Sequence, residues 1–412
     1  MGRPILIIVG VLIIIFGIAQ VSITSRHITM VERSADYASN SQARNIATSM
    51  VGAGIGEINK NIAWRLGLTH DDFLGGGGTL TVLDNLADST IDPNSLVLVA
   101  NGNYANQNAN IRVTLSKFSF ARYAYFTHNE INAWFISDDV IRGPMHSNDQ
   151  IRMFGRPTFM GDVTSTMDYI KYHAATDPDF QGDTDFNYEN VTIPTDLTEL
   201  ISMTDVSNGG LGQYTRPVRL LFNDNGTVSI SERIGSNWVL DKVVNTGEFN
   251  GVISSTEDVH VRGVLSGRVT IHSEKDVRII GDITYKNNPE SNPLSTDMMG
   301  IVANNNVVVT ENAHTQNGTS NLNIHASLMA VTGSFSVQNH TSGAPRGSLH
   351  VLGGIVQNTR GAVGRGQFNT STGTVNILNG YTKDYFYDNR FSTTWPPGFP
   401  YRDRYIVINW QE

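Results

Sequence analysis

Hydrophobic positions along this 412-residue chain fall into two regimes. From Ile5 to Ala19 ("ILIIVGVLIIIFGIA") no polar side chain interrupts the run, and with Val21 and Ile23 it reaches the ~20 apolar residues that a helix needs to cross a bilayer. Beyond it Ile28, Val31, Ala35, Ala38, Gln42, Ile46, Met50 and Ala53 recur at steps of three and four, so the helix is expected to run on to about Ile62. At ~1.5 Å per residue that is roughly 85 Å of helix, of which only ~30 Å fits inside lipid. Gly52, Gly54 and Gly56 inside the pattern call for a kink or for close packing. Residues 1–65 therefore read as a transmembrane and stalk helix. Ile5, Leu12, Phe16 and Ile18 lie in the anchor; Ile28, Val31, Ala35, Ala38, Ile46 and Met50 form a packing face. A retained anchor fits better than a cleaved signal, since only Arg3 precedes the run and "GIAQVS" is a poor cleavage site. Arg3 on one side, with Arg26 and Arg33 on the other, leaves the membrane orientation undecided by charge.

The second regime is short alternation. "FLGGGGTL" reads as flexible punctuation, with residues 75–78 joining the stalk to the body of the protein. "SLVLVA" and "NIRVTLSKFSFARYAYF" alternate at period two around "NGNYANQNAN", and "RPVRLLF" with "TVSISE" flanks "NDNG", so two hairpins are expected. In "DVHVRGVLSGRVTIHSEKDVRIIGDI" apolar positions alternate for a few residues, break, and resume every 8 to 10 residues; comparable pieces continue to "GTVNIL". A strand of about five residues buries too little to persist alone, whereas stacked on equivalents ~4.8 Å away it shares one core. Tight hairpin turns are missing between these pieces, which favours parallel over antiparallel pairing. The expected fold is mainly β: an N-terminal transmembrane/stalk α-helix, then a parallel β-helix (β-solenoid) with an inserted region. The divisions read from the pattern are a β-rich connecting region at 66–130, first rungs at 131–164, an insertion with a hairpin at 165–246, the main β-helix at 247–380 and an aromatic cap at 381–412.

Composition narrows the function. A formal charge of −9 with no basic run argues against nucleic-acid binding, and the absence of cysteine removes disulfides, thiolate metal sites and cysteine nucleophiles. "DPDFQGDTDFNYE" sets Asp177, Asp179, Gln181, Asp183 and Asp185 at alternate positions with Gly182 sixth, which approaches a calcium loop; a solvated acidic loop is the plainer alternative, and no other cofactor is expected. His146, Ser147 and Asp149 of "MHSND" hold the types of a nucleophile and base, but neighbours on a strand face opposite ways, and His146 reads as a core or turn residue. Asp258, Asp276, Asp282, Arg262, Arg268 and Arg278 are scattered rather than paired for glycoside chemistry. Asn304 to Asn306 suit an amide ladder at a turn. From Tyr381 onward stand 10 of the 36 aromatic residues, a density that suits an apolar cap over the last coil or a platform for sugars or a partner.

The helix with its polar continuation "ERSADYASNSQARNIATSM" resembles the N-terminal helix of type IV pilin-like proteins, especially the PilX-like pilus-assembly group. "GPMHSNDQIRMFGRPTFMGDV", "GVISSTEDVHVRGVLSGRVTIHSEKDVRIIGDITY" and "GYTKDYFYDNRFSTTWPPGFP" resemble recurring motifs of an uncharacterised bacterial domain family whose members carry such a helix. The resemblance implies a single-pass protein of the bacterial cell envelope, its bulk extracytoplasmic or on a surface filament. It implies partners in membrane lipid and in other pilin-like subunits or pilus machinery, with surface glycans as a further class. No enzymatic reaction is expected. A minor-pilin-like component and a monomeric surface scaffold or adhesin both remain open, and a carbohydrate-binding or carbohydrate-cleaving β-helix protein is the alternative.

Overall fold

The computed structural model describes residues 3–92, 94–137, 139–369, 371 and 374–412. They divide into two units, one made of residues 1–118 and 403–412 and the other of 119–402, so the second is inserted into the chain of the first.

The first unit opens with α1 (Arg3–Lys60), an unbroken helix of 58 residues. Its sheet contains β1 (Leu68–Phe73), β2 (Gly76–Leu83), β3 (Ser95–Tyr104) and β4 (Gln107–Ser119) as antiparallel neighbours in chain order, and the C-terminal strand Tyr401–Gln411 lies beside β4. Ala105 and Asn106 join β3 to β4 with φ of 47° and 65°, the left-handed pair that a tight hairpin needs. The C-terminal half of α1 covers this sheet: Ala47, Met50, Val51 and Ile58 share a core with Leu80, Leu96, Leu98, Ile111, Val113 and Tyr405. Glycines set the approach. A Cβ on Gly54 would overlap Leu80, one on Gly102 would overlap the Ala43 carbonyl, and Gly78 lies against Ile46 and Met50. The run at 75–78 is therefore a correction to the linker expected there: Gly75 takes the turn at φ 81°, and Gly76 begins a strand whose missing side chains make room for the helix.

The second unit is built from short strands in parallel, in-register ladders. One column of partners runs Ile253, Ile271, Ile301, Leu328, Ile355, Tyr125, Met145, Val163, Thr184. A second runs Val218, Val259, Val277, Val307, Phe335. A third runs Ile283, Ile324, Val351, Tyr385, Ile141, Phe159, Phe180. Most of these side chains are buried in one core, and strands as short as two residues survive because each lengthens the same interior.

The spatial order of the ladders departs from chain order. The chain enters at Tyr125, climbs through Met145 and Val163 to Thr184, and then crosses to the other end. There Val218–Phe222 pairs with Val259–Leu265, and the chain climbs back until Ile355 pairs with Tyr125. The ladder passes beyond residue 165, the expected start of the insertion, and the antiparallel meander Val218–Phe222, Thr227–Ile234 and Asn237–Asn245 supplies the hairpin. The aromatic stretch 381–412 is divided. Tyr381 and Tyr385 lie on the strand Thr374–Tyr387, Phe391, Trp395 and Phe399 are buried in the second unit, and Tyr405 is in the core of the first.

Candidate functional site

The surface of α1 changes character along its length. Ile5, Leu12, Phe16 and Ile18 are more than half exposed, Phe16 at 74%, and this is one helix long and apolar enough to cross a membrane. Ile28 and Val31 stay exposed, Val31 at 69%, as do Ala35 and Ala38, although they lie beyond the stretch that lipid would cover. Burial begins at Ala43, and Ile46 and Met50 are fully buried against the sheet. The expected packing face is thus split: its second half covers the protein's own sheet, and its first half presents Ile28, Val31, Ala35 and Ala38 outward. Near the start of the packed half Arg44 and Glu412 form an ion pair between helix and C-terminal strand.

In the second unit the seam where Pro345–Thr359 meets Tyr125–Asn129 carries its deepest charges. Arg360 Nη1 donates to Glu130 Oε2 at 2.8 Å, with side chains 3% and 0% exposed, and the guanidinium lies 3.9 Å from the Phe135 ring centroid. Lys383 Nζ donates to Asp139 Oδ2 at 2.6 Å. Burial pulls the Lys383 ammonium below its ordinary value against the opposing pull of Asp139. Gln357 Nε2 donates to the Tyr125 hydroxyl at 3.0 Å, and burial raises that phenol. Each cation is matched to a carboxylate near the neighbouring layer of the ladder, so the seam is held by partners adjacent in space yet 230 and 244 positions apart in sequence.

Beside these pairs the hairpin formed by Gly364–Asn369 and Thr374–Tyr387 stands over residues 131–139, leaving a cleft of about 340 Å³. Arg360, Asp139 and Lys383 lie at one side of it, and Trp134, Phe368, Ile377 and Tyr381 provide apolar walls. No local signal in the sequence marks this group, because its members become neighbours only through ladder pairing.

The residues singled out by spacing lie elsewhere. Asp179 is on a two-residue strand paired with Thr158–Phe159, and Asp185 is on another paired with Val163–Thr164. Gln181 donates to Asp179 at 3.2 Å, and Asp177 and Asp183 take up backbone bonds from their own N–H groups to Gly155 and to Asp162. Among the described residues no group of three or more His, Cys, Asp or Glu could hold a metal ion. Asp179 and Asp185 stand on separate two-residue strands and Asp177 and Asp183 on the links before them, so the alternate spacing runs through ladder strands and their connections rather than one loop. His146 is buried, with Nδ1 2.7 Å from the Thr164 hydroxyl and Nε2 2.9 Å from Asn148 Oδ1, and burial lowers its pKa. Asn148 Oδ1 also accepts from the Val191 N–H at 2.8 Å, so Nε2 carries the histidine proton. Ser147 accepts from the Asp149 N–H. Asp258 and Asp276 both bind Arg278, Asp276 caps the Asn306 backbone, Asp282 accepts from the Asn323 N–H and Arg268 donates to the Trp395 carbonyl. Arg262 donates to Gln316. Asn304 accepts from His272. These side chains tie one strand layer to the next.

A family model described as a domain of unknown function (DUF4900) matches residues 98–167, which include the block 143–163. No curated protein matches the chain. The crystal structure of the competence-associated pilin ComZ from Thermus thermophilus aligns over 90% of this chain and 97% of that chain at 11% identity. Its TM-score is 0.31, too low to assign a shared fold.

Proposed function

We propose that this chain is a membrane-anchored, pilin-like subunit of the PilX-like kind, in an envelope or surface-filament assembly, acting by structure and binding rather than by catalysis. The observation that carries the reading is the split surface of α1. One helix is apolar and exposed over a bilayer length, remains apolar on one stripe for three further turns, and only then packs on an antiparallel sheet. Lipid accounts for Ile5 to Ile23. The stripe Ile28, Val31, Ala35, Ala38 calls for another helix, since exposed apolar rows at helical spacing are the seams of helix association. The body is read as a β-solenoid held on the extracytoplasmic side, a reading supported by three parallel in-register ladders around one core.

The absence of cysteine makes the test direct, because a single introduced thiol is unique. Val31→Cys or Ala38→Cys, expressed in a bacterium that makes the protein and oxidised in native membranes, is expected to cross-link to a second helix. Thr48→Cys, on the exposed side of the packed half, is expected to remain uncross-linked. If the Val31→Cys and Ala38→Cys proteins both stay monomeric and are freely labelled by a water-soluble maleimide, the subunit reading fails.

A further inference from the structure

The cleft under the hairpin has the make-up of a ligand site rather than of a packing defect. Its volume of about 340 Å³ falls within the range of small-molecule sites, and such sites combine apolar walls with a few convergent polar groups. Three properties narrow what would enter. First, the charges cancel in pairs, Arg360 with Glu130 and Lys383 with Asp139, so an ionic ligand would have to compete for a partner already engaged in a buried pair. Second, the polar side is not closed. The Lys383 side chain is 24% exposed, and an ammonium has three donors of which Asp139 takes one, so a wholly apolar ligand would strip water from the rest without replacing it. Third, the walls include ring faces. Trp134 is half-buried, and Phe368, which packs against Phe154 and Tyr172, is still 39% exposed. The ligand that answers all three is uncharged, presents hydroxyl donors and acceptors along one edge, and has an apolar ring face.

We propose that this cleft takes a short neutral saccharide, its ring face against Trp134 and Phe368 and its hydroxyls toward Lys383, Asp139 and the exposed Thr382. The proposal deepens the structure-and-binding reading by naming a ligand class. It uses only the second unit, so its test and the helix cross-linking can fail independently.

The full chain, kept in a detergent with no sugar headgroup, is titrated by calorimetry with maltose, cellobiose, lactose and N,N′-diacetylchitobiose, and with digalacturonic acid as the anionic comparison. At least one neutral disaccharide is expected to bind. Trp134→Ala, which removes the ring, and Ala133→Phe, which fills the cleft from a half-buried lining position, are each expected to weaken that binding at least about tenfold with the melting temperature unchanged. If Trp134→Ala lowers the melting temperature, Ala133→Phe and Thr382→Ala carry the comparison. No heat with any neutral probe at ~10 mM, binding that survives the cleft-filling variant, or a preference for digalacturonic acid would each overturn the assignment.

Discussion

Arg360 and Glu130 show how much a single buried pair can hold. Both side chains are out of water, so removing one leaves the other charge without solvent or counter-ion, a loss of about 3–5 kcal/mol. Arg360→Ala is therefore expected to lower the unfolding free energy by that order in chemical denaturation, whereas Arg360→Met combined with Glu130→Gln should recover most of it, since no bare charge remains. A single variant as stable as the parent would mean that the pair is not desolvated. The buried histidines act in the opposite sense, because their neutral forms are the native ones. Burial, with the charge of His350, pushes His325 down to about 4, and burial also takes His260 to about 4 and lowers His146 and His272. The unfolded chain takes up these protons near the ordinary histidine value of about 6.5, so it binds more protons than the native state between there and about 4. Stability is then present in full above that window and falls as the pH drops through it, by up to roughly 3 kcal/mol for His325. His325→Gln keeps an acceptor for the Tyr285 N–H and should flatten the decline in unfolding free energy measured from pH 7 to 4.5. An unchanged slope would exclude His325 as its source.

At the scale of elements, periodicity was legible in the sequence, while glycine context and distant pairing were hidden. The helix could be read over nearly its full span because apolar residues at steps of three and four persist from the anchor to Ala53. The short-strand texture of 258–283 was equally plain, as was the parallel pairing that missing hairpin turns implied. The run at 75–78 misled because glycine marks both a flexible link and a strand that a helix must approach closely, and only the partners Ile46 and Met50 separate the two. The acidic alternation at 177–185 is ambiguous for a related reason: Asp179 and Asp185 stand on separate two-residue ladder strands, and a period of two does not by itself tell such strands from a metal loop. Nothing local announced Trp134, Arg360 or Lys383, whose shared cleft depends on strands more than 200 positions apart.

At the scale of the molecule, the discontinuous order of the ladder has consequences for how the second unit forms. In a stack that follows chain order each new layer adds to one already present. Here the layers from Tyr125 to Thr184 are made first yet rest on Ile355 and Tyr385, among the last to be made. The early strands Met145–Ser147, Val163–Ser165 and Thr184–Asp185 are two or three residues long, too short to bury much by themselves. The 252–337 layers, by contrast, contain strands of up to nine residues and neighbours close in sequence. Loop closure between Tyr125 and Ile355 must precede any gain from their contact, so this pairing is expected to come late. Pulse-labelled hydrogen exchange during refolding should therefore show amides of 252–337 protected first and those of 125–165 only together with 349–359. Arg360→Ala should delay the second step more than the first, since the Glu130 pair spans the seam. Early, independent protection of 125–165 would mean that the first layers are self-sufficient and that the seam joins two finished pieces instead of completing one.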